Sequence, residues 1–171
     1  MRRFRKICER HRDRISTFAC YYLGNREDAE DVTQEVLLRL WDHWRSIKPE
    51  GLPAWITRVT RNACLDALRR RHSYRTVVSA DPDEQILATA ADTAPDPADQ
   101  LEASDFQRQL EDALQHLPEA HRAVVVLREI QGMKYEEIGD SLDLPLNTVK
   151  VYLHRGRQQL RQQLHRDMGE S

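Results

Sequence analysis

Residues 134–157 read KYEEIGDSLDLPLNTVKVYLHRGR. Tyr135, Ile138 and Leu142 recur at helical spacing and supply one apolar side. Asp143-Leu144-Pro145-Leu146 then interrupts the pattern, because a proline disfavours helix in the residue before it. Asn147 is expected to cap a second helix whose inward residues are Val149 and Leu153. Thr148, Lys150, Val151, Tyr152, His154, Arg155 and Arg157 are left for the remaining surface. Two short helices, a four-residue turn and cations on the second helix predict a helix-turn-helix, whose second helix enters the major groove of DNA. An ordinary helical hairpin with a solvated basic face is the competing reading of this stretch alone.

Working outward, charge divides the chain of 171 residues, whose net charge is −2. Residues 1–75 hold 17 Lys+Arg against 10 Asp+Glu. Residues 76–105 hold eight acids and no Lys or Arg, and residues 106–171 hold 9 cations and 10 acids. A basic head, an acidic middle and a tail with a local basic helix predict two modules on a linker. Pro82, Pro95 and Pro97 and the lack of periodicity support the linker, with at most a short helical piece near Gln85–Ala88.

The basic head predicts three helices. The first runs from about Phe4 to Leu23 with Ile15, Phe18, Ala19 and Tyr22 on one face and Gly24 as its stop. Asn25 caps the second, whose first turns carry Glu27, Asp28, Glu30 and Asp31 against the positive end of the helix dipole. Its buried stripe is Ala29, Val32, Val36, Leu40 and Trp44, with Leu37 and Trp41 alongside. A third helix spans about Ala54 to Arg71, with Trp55, Ile56, Val59, Ala63 and Ala67 inward and Arg58, Asn62 and Arg69 opposite. Arg61 lies at the edge of that opposite face and Arg70 and Arg71 extend it, so nearly all its charge has one sign, which suits phosphate. Trp55 falls on the apolar stripe and is expected in the core rather than stacked on a base. Beyond the linker, helices resume at Phe106 and again after Pro118, the latter ending at Gly132. No strand is indicated.

Chemistry is sparse. No phosphate-binding glycine loop, nucleophile elbow or metal-ligand pairing appears, so no enzyme activity, cofactor or metal is expected. Cys8 and His11 have a metal-like spacing without a second pair. Three widely spaced cysteines, Cys8, Cys20 and Cys64, suggest no disulfide framework and fit a reducing cytoplasm. The N-terminus has charge but no apolar core, and no apolar run is long enough to insert in a membrane.

Three segments in order carry a resemblance. GNREDAEDVTQEVLLRLW, PAWITRVTRNACLDALRRR and LPEAHRAVVVLREIQGMKYEEIGDSLDLPLNTVKVYLHRGRQQL resemble the polymerase-binding helix, the promoter-melting and −10-reading helix, and the −35-reading domain of a group IV, extracytoplasmic-function (ECF) sigma factor of the sigma-70 family. The resemblance implies an all-α fold of two small helical domains, residues 1–75 and 106–171, joined by a flexible acidic linker over 76–105. It implies that Asp31, Gln34, Glu35 and Arg39 meet core RNA polymerase at the β′ clamp helices, with the β flap as a second contact. Arg58, Arg61, Asn62, Arg69 and Arg70 would meet the −10 element, Asn62 at the position that holds a flipped base. Thr148, Lys150, Val151, His154, Arg155 and Arg157 would meet the −35 element. The linker would thread toward the active-site cleft and RNA exit channel, and an anti-sigma factor would be a further partner of a monomeric free protein. Thr33, Asn147, Val151 and Tyr152 depart from the family's usual residues, which bears on the −35 preference rather than on the class. A helix-turn-helix regulator acting without polymerase, and an all-helical adaptor or anti-sigma-like interaction protein, are the alternatives. Both leave the basic and amphipathic helices of the first 75 residues without a task.

Overall fold

The computed structural model describes residues 2–78 and 98–169, with side chains for 2–75 and 105–166. Helices α1 (Arg2–Leu23), α2 (Arg26–His43) and α3 (Leu52–Val78) pack on one another in the first half. A single 3₁₀ turn, Pro49–Gly51, leads into α3. The second half contains α4 (Ala98–Gln115), α5 (Glu119–Val125) running on into a π-helical turn (Val126–Ile130), α6 (Tyr135–Leu142) and α7 (Leu146–Gly169). No strand occurs among the described residues.

Local chemistry sets the punctuation. Asn25 accepts a hydrogen bond from the Asp28 N–H at 2.9 Å, which caps α2 as its sequence predicts. Gly24 and Gly132 take positive φ, 59° and 66°, at the ends of α1 and the π-helical turn. Asp143 (φ 55°) closes α6 in the left-handed region, and the Leu144 N–H reaches back to the Gly139 carbonyl at 2.9 Å. Asn147 is not the cap of α7: the helix opens at Leu146, directly after Pro145, so Asn147 lies inside the first turn. Helix α4 also starts earlier than expected. It occupies residues 98–105 of the stretch read as linker, because Ala98, Gln100, Leu101, Glu102 and Ala103 are good helix formers that acidity alone does not offset. The helical piece expected at Gln85–Ala88 lies outside the described residues.

Burial follows the apolar stripes and then exceeds them. Ile15, Phe18, Ala19 and Tyr22 of α1, Ala29, Val32, Val36 and Leu40 of α2, and Ile56, Ala63 and Ala67 of α3 are buried together. Thr33 joins them by donating its hydroxyl to the Ala29 carbonyl at 2.7 Å. Ala123 to Leu127 are buried without interruption, as befits a helix covered on all sides. α7 lies against α5, and α1 against the π-helical turn. Gly156 makes the α5–α7 approach possible: a Cβ there would stand 2.5 Å from Val125 Cγ2.

The halves share one core, and polar groups clasp the seam between them. Arg122 of α5 is buried and donates from Nη1 to the Tyr22 carbonyl at 2.8 Å, and from Nη2 to the Gln115 and Leu117 carbonyls at 3.0 and 3.1 Å. Gln115 Nε2 donates to the Tyr21 and Tyr22 carbonyls at 3.2 and 3.3 Å. These groups satisfy carbonyls at the C-terminal end of α1 that have no partner within their own helix, and a cation there also suits the helix dipole. Gln115 comes so close that a Cβ on Gly24 would meet its amide at 2.8 Å.

Candidate nucleic-acid and polymerase interfaces

Helix α3 presents the first candidate face. Arg58, Asn62, Arg69 and Arg70 are exposed along it, and Arg61 is half-buried at its edge. The face is not free. Arg58 donates from Nη2 to the Asp140 carbonyl at 2.9 Å and from Nε to the Ser141 carbonyl at 3.3 Å, at the C-terminal end of α6. Arg61 Nη1 donates to Asn62 Oδ1 at 3.3 Å, and both border a cleft of about 250 Å³ closed by Ser141, Leu142 and Asp143. Further along, Arg69 pairs with Asp66 at 3.5 Å, Arg70 with Glu35 at 4.0 Å and Arg71 with Asp28 at 3.4 Å. Every one of these arginines thus faces a carboxylate, backbone carbonyl or amide oxygen. Trp55 is half-buried on the inner side, its ring centroid 5.8 Å from that of His43.

Helix α7 presents the second. Val149, Leu153 and Gly156 are buried, which turns Asn147, Val151, His154, Arg155 and Gln158 outward on the opposite face. Lys150 is exposed on one flank and Thr148 is half-buried on the other. From Leu146 to Arg166 the helix carries five cations and no acid. Two residues expected on the surface are tethered to neighbouring elements, Tyr152 half-buried and Arg157 exposed. Tyr152 packs its ring 5.0 Å from the His121 ring, and Arg157 Nε pairs with Glu129 Oε1 of the π-helical turn at 2.6 Å.

The candidate polymerase face lies on α2. Asp31 and Gln34 are exposed, while Glu35 and Arg39 are half-buried and paired with each other across one helical turn. Two apolar neighbours complete it. Leu38 is 68% exposed and Trp41 46% exposed, Trp41 meeting the Phe4 ring edge-on at 4.8 Å. Trp41 was expected beside the buried stripe. Phe4 of α1 packs on Trp41 edge-on, yet 46% of its surface stays exposed. A stripe wider than the face that packs was the available signal for Leu38 and Trp41.

Among the described residues no group of three or more His, Cys, Asp or Glu is placed to hold a metal ion, and no helix is long and apolar enough to cross a membrane. Burial pushes the Cys64 thiol well above its ordinary pKa, so it is an inert core group.

Comparison with known proteins bears on both faces. The family described as Sigma-70 region 2 matches residues 7–74, and Sigma-70 region 4 matches residues 107–160. The chain is 32% identical over 159 residues to the ECF RNA polymerase sigma factor SigL of Mycobacterium tuberculosis (strain Erdman), covering 92% of this chain and 86% of that protein. The chain belongs to the ECF sigma factors of the sigma-70 family. This sigma factor is also 38% identical over 166 residues to SigE of Mycolicibacterium smegmatis, spanning 97% of its own length and 63% of the relative's. The structure of the Bartonella quintana sigma factor RpoE in complex with the anti-sigma factor NepR aligns with a TM-score of 0.74 at 23% identity, over 96% of this chain and 98% of that one, and so shares its fold.

Proposed function

We propose that this sigma factor recruits core RNA polymerase and directs promoter recognition and opening. In this reading residues 1–75 dock and melt, 76–105 link, and 106–171 read the −35 element. Asp31, Gln34, Glu35 and Arg39 meet the polymerase β′ clamp helices, with Leu38 and Trp41 beside them, and region 4 meets the β flap. Arg58, Arg61, Asn62, Arg69 and Arg70 meet the −10 region, where melting draws on binding to unpaired bases rather than on catalysis. Thr148, Lys150, Val151, His154 and Arg155 meet the −35 duplex, and Arg157 joins them on release from Glu129. An anti-sigma factor is a further partner, by analogy with the NepR complex of the Bartonella relative.

The observation that carries the reading is the outward face of α7, which holds cations and no acids on the second helix of a helix-turn-helix. Run-off transcription with purified core enzyme tests it. Factor-dependent transcripts are expected, and reversing charge at Asp31 together with Glu35 should weaken competition against another sigma factor for core while leaving helix content intact. Duplex binding with no core-dependent transcript would instead favour a regulator acting without polymerase.

A further inference from the structure

The middle of the outward face of α7 is not a cation or an amide but Val151, which is 43% exposed. Val149 and Leu153, its aliphatic neighbours on the same turns, are buried, so Val151 lies on the side of the helix that faces away from the core. Asn147 lies one turn before it, and His154 and Arg155 one turn after, all exposed. Lys150 sits on the flank, and Tyr152 and Arg157 are drawn back onto His121 and Glu129.

Folding gives Val151 no reason to be there. Valine is a poorer helix former than alanine or a long polar residue, and this one stays 43% exposed and outside the core cluster. A single exposed aliphatic residue is ordinary on a protein surface. This one sits in the middle of the outward face of a helix otherwise furnished with groups that bond phosphates and base edges. The major groove offers donors and acceptors at every base pair but one apolar group only, the thymine C5-methyl.

We propose that Val151 is a specificity-determining residue that selects a T·A or A·T pair at one position of the −35 element by packing on the thymine methyl. The proposal rests on the duplex-reading role of α7 given above. Four residues of α-helix advance about 6 Å, so the thymine lies within about two base pairs of those facing Asn147 and Arg155.

The test uses the full chain, alone and with purified core polymerase. Preferred −35 duplexes are selected from a randomised pool, and each thymine in the winner is replaced by deoxyuridine, which deletes the methyl and leaves every hydrogen-bonding group. One replacement should weaken wild-type binding about fourfold, the worth of one buried methyl group. The Val151→Ala protein should bind the thymine and deoxyuridine duplexes equally, and selection with it should no longer enrich thymine there. Helix content checks that the variant folds, which the alanine favours. Wild-type indifference to every replacement, or undiminished methyl sensitivity in Val151→Ala, would overturn the proposal while leaving duplex reading intact. Failure of the wild type to select any duplex, with or without core, would overturn duplex reading and this inference with it.

Discussion

On α3, Arg58 is gripped by two carbonyls of α6, and Arg70 and Arg71 lean on carboxylates of α2. On α7, Asn147, Val151, His154 and Arg155 look outward and make no hydrogen bond or ion pair among the described residues. Both faces are built of the same chemistry, and only their surroundings differ. Groups on α2 and α6 already stand in for nucleic acid on α3, so a strand reaching it must displace them. DNA meeting these four residues of α7 would displace only water and counterions, whereas Arg157 would first have to leave Glu129. In the proposed function the closed seam would withhold the α3 face and present the α7 face, so that duplex would be engaged first at α7 and unpaired strand at α3 only after the seam opens.

The strongest way to break the contrast is at Arg122. Arg122→Leu leaves the buried carbonyls of Tyr22, Gln115 and Leu117 short of a donor and should cost about 3 kcal/mol in urea unfolding. Binding of a single-stranded −10 oligonucleotide at sub-denaturing conditions should rise, while duplex binding by α7 stays as it was. Equal change at both faces would refute their independence.

Two matched substitutions sharpen it. Arg155→Ala should lower −35 affinity by about 1–3 kcal/mol, blur one position or reduce the salt slope, with little change in stability, because Arg155 is exposed and its side chain makes no hydrogen bond or ion pair among the described residues. Asn62→Ala should impair transcription from a duplex promoter and recover activity, but not −10 selectivity, on a pre-opened template. Full selectivity there would remove Asn62 from base reading.

Arg58→Ala probes the grip itself. Losing two bonds to the end of α6 should loosen the seam by about 1 kcal/mol, seen as faster amide exchange around Ser141. It should also remove a −10 contact, so looser packing here must not bring tighter strand binding.

The smallest effect is at His11. Burial, and then Arg10 and Arg14, hold its imidazole below the ordinary pKa of about 6.5. A base that takes its proton less readily when folded adds stability above about pH 6.5 and loses it as pH falls below that value. His11→Gln should flatten the decline in urea midpoint between pH 7.5 and 5.5; an unaltered slope would discount His11.

Much of this was legible from residues alone. Asn25, Gly24 and Gly132 announce helix ends because caps and left-handed turns are local chemistry. The helix-turn-helix is equally local, since Ile138, Val149 and Leu153 need only helical spacing to show which sides turn inward. The seam was not legible. Gln115 and Arg122 are ordinary polar residues of their helices, and nothing nearby in sequence reveals that their partners are the carbonyls of Tyr21 and Tyr22. Trp41 failed for a related reason: periodicity gives the width of an apolar stripe, not how much of it a neighbour covers. Asn147 has the residue type of a cap, but Pro145 positions Leu146 to open α7.

The seam also has a place in time. Its bonds join residues 82 to 100 positions apart, Arg58 to Asp140 and Arg122 to Tyr22 among them. A ribosome adding about 5–20 residues per second needs about 3–13 s to pass from the end of the first module to the end of α6 at Leu142. Until then the newly made α3 has no α6 to hold its arginines. A chain leaving the ribosome therefore exposes that face before it can be closed, and polymerase or a partner meeting it during those seconds encounters an open molecule.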